Sequence, residues 1–212
     1  MLAAVDEREL VFVERVDEQL HADEREDHGE SLGEVHEALE QTADQVRSLG
    51  APALVAPTDV TETAQVERLV QACVSTYGRL DVLVNNAGFG LHHKLATTDT
   101  QPLIDGIDLM ATTPVRLGAV AGAAMKERGH GVIINTASVS SLVSMGLYSA
   151  IKSLVRVWST SYAIELAPAG VQVVTFMPGW VRTEFHERAG KKTSSLPGFL
   201  WLNADRIVRE CL

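Results

Sequence analysis

The chain has 212 residues, 46% of them apolar, and a formal net charge of −10. That length supports one domain with a full core, and no apolar run approaches the roughly 20 residues needed to span a bilayer. The charge is lopsided: the first 37 residues hold 13 acids and 3 bases, the rest 15 of each, so the body has no basic stripe on which nucleic acid could bind.

The chain is therefore read as an atypical acidic segment, residues 1–37, followed by an α/β domain, residues 38–212. The acidic start is unlike a signal or transit peptide. Cys73 and Cys211 stand without CxxC or Cys/His ligand spacing. A cytoplasmic chain with reduced cysteines is the expectation. Leu10, Val11, Phe12 and Val13 sit where a first strand should end. Val13, Val16 and Leu20 nevertheless follow a helical spacing, and residues 23–30 read as solvated.

From residue 38 the periodicity alternates. Residues 38–49 predict a helix ended by Gly50. Residues 53–56 are a short apolar strand, followed by Pro57, Thr58, Asp59 and Val60. Residues 61–77 carry Val66, Leu69, Val70 and Val74 on one stripe and stop at Gly78. Residues 80–84 predict a strand leading into Asn85, Asn86, Ala87 and Gly88. Residues 102–128 predict one long helix ended by Gly129. A strand at 131–135, a helix at 148–166 and a strand at 171–176 follow. Pro178 and Gly179 come next, and a final helix is expected from residue 204. Continuous apolar strands separated by helices mean a parallel sheet covered on both faces. In such sheets ligands bind beyond the carboxyl ends of the strands, where Asn85 to Gly88, Ser138 and Pro178-Gly179 fall.

Tyr148 and Lys152 lie one helical turn apart on one face. A lysine cation near a phenol favours the phenolate and draws its pKa down from about 10. Such a tyrosine can pass a proton to or from an alcohol or carbonyl oxygen. The bare pair equally describes an amphipathic helix with a solvated lysine. Ser138 reads either as a partner in that chemistry or as a strand-end turn. Asn85 and Asn86 read as site residues or as loop-backbone partners, and Pro178-Gly179 as site or plain turn. Asp59 reads as a ligand, an early helix cap or a partner of Thr61. His92, His93 and His186 read as loop histidines.

The order Asn85-Asn86-Ala87-Gly88, then Ser138, then Tyr148 with Lys152, then Pro178-Gly179-Trp180-Val181-Arg182-Thr183, resembles the short-chain dehydrogenase/reductase family. The likeness runs from about residue 38 to the end. It implies a single Rossmann-type, doubly wound parallel sheet and hydride exchange between NAD or NADP and an alcohol or ketone. It implies Tyr148 as acid/base, Lys152 as the group that lowers its pKa and holds the nicotinamide ribose, and Ser138 as a hydrogen-bond partner of the substrate oxygen. Asn85, Ala87 and Gly88 are implied to line the cofactor, with Asp59 and Val60 near the adenine. Pro178, Gly179, Val181 and Thr183 are implied around the carboxamide and phosphates. Trp180, Phe185, Phe199, Leu200 and Trp201 would make the lid apolar, which points to an apolar alcohol or ketone. Self-association through the helices at 102–128 and 148–166 is a further implication.

Three departures stand out. Met110 occupies the place of the family's central-helix asparagine, and a thioether donates no hydrogen bond. The family's amino-terminal Thr-Gly-x-x-x-Gly-x-Gly turn, which brings backbone to the pyrophosphate at a helix N-terminus, is absent. Gly29 and Gly33 carry only a fragment of its spacing, among acids that repel phosphate. The chain also stops before the family's last edge strand, so the fold is expected to be incomplete at both ends. Either residues 1–37 supply a substitute strand or the sheet is left with unpaired backbone. The charge step at residue 38 further suggests a frame change or misassigned start upstream. A relative that has lost catalysis, serving as a truncated product or binding subunit, is the alternative reading.

Overall fold

The computed structural model describes residues 2–6, 9–12, 32–181, 201–204 and 207. Six strands form one sheet: β1 (Leu2–Asp6), β2 (Glu9–Phe12), β3 (Ala53–Val55), β4 (Val82–Asn85), β5 (Gly131–Thr136) and β6 (Val171–Phe176). Their order across the sheet is β3-β2-β1-β4-β5-β6. The connecting helices are α1 (Leu32–Ser48), α2 (Thr63–Tyr77), α3 (Gln101–Ile107), α4 (Thr113–Arg128) and α5 (Gly146–Leu166). A small parallel pair, β7 (Trp180–Val181) with β8 (Trp201–Leu202), lies beyond β6.

The expected doubly wound sheet is present, with one strand reversed. β4, β5 and β6 run parallel, as do β2 and β3, while β1 pairs antiparallel with both β2 and β4. The reversal follows from chain length. Two residues separate β1 from β2, and a parallel pair needs a crossover of a dozen or more. Residues from the acidic segment thus supply the strand beside β4, at Leu2↔Val84, Ala3↔Leu83 and Ala4↔Val82. Right-handed crossovers place α1 on one face and α2, α4 and α5 on the other.

Element boundaries moved at several points. α1 begins at Leu32 and so straddles the expected division at residue 37. Gly33 lies inside it. Gly29, Val13, Val16, Leu20 and residues 23–30 are outside the described residues, as are Cys211, Thr183 and the remaining lid residues Phe185, His186, Phe199 and Leu200. Ala204 and Ile207 are helical, in line with the expected last helix. Gly78 and Gly129 close α2 and α4 with left-handed φ of 82° and 79°, a conformation that glycine adopts without strain.

The single helix expected over 102–128 is interrupted by a π-helical turn at Asp108–Thr112. Pro114 has no N–H for the carbonyl of Met110, and its ring crowds that carbonyl. The chain widens there instead: Thr113 N–H bonds Asp108 O, and Thr113 Oγ1 donates to Asp108 O at 2.9 Å and to Val60 O at 3.0 Å. Below α4 and α5, Leu83, Met125, Ile133, Leu166 and Val171 form a buried cluster. Each such side chain contributes about 1.5–3 kcal/mol on burial.

Candidate active site

The carboxyl ends of β4 and β5 carry matched asparagines, Asn85 opposite Asn135. Asn85 Nδ2 donates to Asn135 Oδ1 at 2.8 Å, and both side chains are buried. One residue further on, Thr136 Oγ1 donates to Asn86 Oδ1 at 3.0 Å. The asparagines therefore pair with side chains of the neighbouring strand rather than with loop backbone, and they clamp the two strand ends together. Asn135 Nδ2 is buried without a hydrogen-bond partner among the described residues.

β5 ends at Thr136, and Ser138 follows in extended backbone, capping a 3-10 turn at Val139–Leu142. Ser138 Oγ accepts from Ser140 N at 3.1 Å and shares a hydrogen bond with the Tyr148 hydroxyl. The turn reading and the pairing with Tyr148 thus hold together. Ala137 N donates to Phe176 O at 2.7 Å and Val139 N to Pro178 O at 3.2 Å, which ties the β5 exit to the Pro178-Gly179 segment.

Tyr148 and Lys152 project from the first turns of α5. Lys152 is 4% exposed, donates to Thr136 O at 2.8 Å, and holds its Nζ 5.7 Å from the Tyr148 ring centroid. Met110 is buried beside them. A Cβ placed on Gly88 would lie 3.2 Å from Met110 Sδ and 3.8 Å from Lys152 Nζ, so the β4 exit, the π turn and the lysine meet at one point.

The electrostatics differ from the sequence expectation. Burial pushes the Tyr148 phenol above its ordinary value, and the Ser138 hydrogen bond opposes that only in part. Burial also lowers Lys152 to about 8. The Lys152 amine lies beside the ring and donates to the Thr136 carbonyl, and burial is the larger effect on the phenol.

The remaining predicted residues are more scattered. Asp59 is half-buried ahead of α2 and binds locally: its Oδ1 accepts from Thr61 N at 2.9 Å and from Thr61 Oγ1 at 2.7 Å. Val60 is buried, and its carbonyl anchors Thr113. Gly179 precedes β7, where Trp180 meets Trp201 edge to face at 5.9 Å. Sequence reasoning missed Asn135 and the Thr136 carbonyl. A polar residue inside an apolar strand was the available signal for the first; the second is backbone and leaves none. A separate cavity of about 610 Å³ lies between α2 and α4, lined by Val66, Val70, Leu117 and Val120, and contains none of Ser138, Tyr148 and Lys152.

Comparison with known proteins bears on this arrangement. The profile of the family described as short chain dehydrogenase matches residues 29–194. A diacetyl reductase, (S)-acetoin forming, from Staphylococcus epidermidis is 32% identical over 171 residues, covering 78% of this chain and 66% of the relative. A 3-alpha-(or 20-beta)-hydroxysteroid dehydrogenase from Mycobacterium bovis is 40% identical over 132 residues, covering 59% of this chain and 49% of the relative. The chain thus spans between 49% and 66% of the length of these curated relatives. The solved structure of a short-chain dehydrogenase from Sphingobium yanoikuyae in complex with NADPH superposes with a TM-score of 0.77 at 25% identity, covering 95% of this chain and 72% of that one.

Proposed function

The chain belongs to the short-chain dehydrogenase family, and from that premise we propose that it is an NAD(P)-dependent oxidoreductase acting on a small-molecule alcohol or ketone. The observation that carries the reading is the Ser138–Tyr148 hydroxyl pair with the buried Lys152 amine beside it.

The residues present fit a nicotinamide nucleotide. Lys152 gives one of its three N–H donors to Thr136 O and keeps two for ribose hydroxyls. Asp59 Oδ2 has no partner among the described residues and suits the amine of an adenine. Val60, Asn85, Ala87 and Gly88 would border the cofactor on one side, and Pro178, Gly179 and Val181 on the other; Thr183, outside the described residues, is a further candidate from the family resemblance alone. When bound, the cofactor supplies or accepts the hydride.

In this proposal the chain's own residues place and protonate the reacting oxygen. Ser138 Oγ holds a carbonyl oxygen against the Tyr148 hydroxyl, which donates its proton as the carbonyl becomes an alcohol. The reverse reaction returns the proton to Tyr148. A phenol pushed upward by burial is a competent donor at neutral pH, and the ammonium of Lys152 would favour the phenolate left behind. Met110 donates nothing, so the proton returns to Tyr148 from solvent rather than through position 110.

Titration of the folded protein with NADH and NADPH, followed by tryptophan fluorescence, is the test. Saturable binding is expected; no binding at millimolar cofactor would sink the reading. Tyr148→Phe should lower turnover by about 10²–10⁴-fold while cofactor affinity is kept. Unchanged turnover removes Tyr148 from the mechanism.

Two further parts of the proposal concern the whole protein. Leu154, Val157 and Ile164 form an exposed apolar stripe on α5, and we assign them to self-association. A Val157→Glu variant running at the same size as the parent would argue against this. No helix among the described residues is long and apolar enough to cross a membrane. We also propose a cytoplasmic location, and recovery of the protein outside the cytoplasmic fraction would contradict it.

A further inference from the structure

We propose that the cavity between α2 and α4 is a second ligand site, separate from the Ser138–Tyr148 pair, and that it takes a linear alkyl carboxylate. The inference does not depend on the oxidoreductase reading.

The cavity follows from side-chain size. The facing residues are short: Val66, Val70 and Val74 on α2, with Val120, Ala121 and Ala124 on α4. They leave about 610 Å³ open between the helices, within the roughly 300–1,000 Å³ range of small-molecule sites. The gap is pinned at both ends. Thr113 Oγ1 donates to Val60 O at 3.0 Å, and Arg128 Nη2 donates to Leu80 O. The floor is deep, since Cys73 and Leu83 line it and are 3% and 1% exposed. Such depth suits a ligand that inserts, not a helix laid across the surface. Thr113 to Ala124 covers about 16 Å of helix axis, which favours an extended chain over a compact ring.

Charge identifies the head group. Arg79, Arg116 and Arg128 line the cavity of a chain whose net charge is −10. Two of them are engaged: Arg79 Nε lies 2.7 Å from Asp81 Oδ2, and Arg128 Nη2 lies 3.7 Å from Asp81 Oδ1. Arg116 is exposed in the first turn of α4 and has no ion pair or hydrogen bond among the described residues. Glu67, the one acid in the lining among those residues, is also exposed and does not pair with it. A single planar guanidinium holds a carboxylate through two parallel hydrogen bonds. A phosphate dianion calls for a second free cation, which the described lining lacks. Hydrocarbon below and one cation at the rim together define an alkyl carboxylate.

The test is calorimetric binding of octanoate, decanoate and dodecanoate to the full chain, each below its micelle concentration. Alkylation of Cys73 by iodoacetamide, read from the mass of its peptide, reports where the ligand sits. Affinity should rise by up to about fourfold per methylene, and dodecanoate should slow Cys73 alkylation in proportion to the fraction bound. Arg116→Gln should lower dodecanoate affinity about tenfold and leave dodecanol affinity unchanged, while Arg116→Lys recovers most of the loss. Val70→Phe should weaken dodecanoate more than octanoate by shortening the cavity. Dodecanoate that binds without protecting Cys73, or that binds Arg116→Gln as tightly as the parent, overturns the site. A Cys73 that does not react in the free protein overturns the open cavity itself. A change in sedimentation of Arg116→Gln without a change in dodecanoate affinity assigns the groove to a second copy of the chain and also overturns the proposal.

Discussion

Lys152 holds its proton against the cost of burial, and that cost has a pH signature. Its folded pKa of about 8 lies below the ordinary lysine value of 10.5. Between those values the unfolded chain binds a proton that the folded chain does not, so stability rises with pH across this window. The rise from this one group is roughly 3 kcal/mol at 1.36 kcal/mol per pH unit. Chemical denaturation of the parent and of Lys152→Met should therefore show a stability difference that changes between pH 8 and 10.5 and is flat below it. A difference that does not vary with pH would mean that the lysine titrates as if in water. Tyr148 acts in the opposite sense above pH 10, since its raised pKa makes the folded state the better proton holder there. The residue types and chain order of Ser138, Tyr148 and Lys152 made them legible in the sequence. The direction of the tyrosine shift was not, because it depends on how dry the surroundings are. Met110 was visible as a departure, but its approach to Gly88 and Lys152 needed the π turn.

At the level of elements, helix and strand periods located nearly every segment, and the misreadings have local causes. The long helix was read through Pro114 because the apolar stripe continues on both sides of it. Only the missing N–H shows that the ladder must widen there. α4 and α5 touch where small residues leave room: a Cβ on Gly118 would sit 2.6 Å from Trp158 Cη2, and Tyr162 Oη donates to Gly118 O at 2.9 Å. Ile151, Val155, Ser159 and Leu166 turn into the core, and away from them α5 presents Leu154, Val157 and Ile164 to solvent. A charge in that stripe would be desolvated by any contact across it. Val157→Glu is thus expected to shift a dimer or larger assembly to monomer in sedimentation at micromolar protein, with the far-ultraviolet spectrum unchanged.

The whole molecule depends on the strand that composition concealed. Acidic residues around Leu2–Asp6 disguised it, and a reversed strand leaves no trace in periodicity, since direction is set by the length of the link that follows. Each side of β1 is paired, to β2 and to β4. A proline there removes a ladder bond and crowds the neighbouring chain. Ala3→Pro should cost on the order of 2–3 kcal/mol and raise amide exchange at Leu83 and Val84; unchanged protection at β4 would mean that β1 does not sit beside it. The same strand has a consequence for biogenesis. β1 and β2 are neighbours in the chain and can pair early, whereas Leu2 must wait for Val84. At roughly 5–20 residues per second of synthesis, the nascent chain carries an open strand edge for several seconds, and such an edge is a template for pairing with a neighbour.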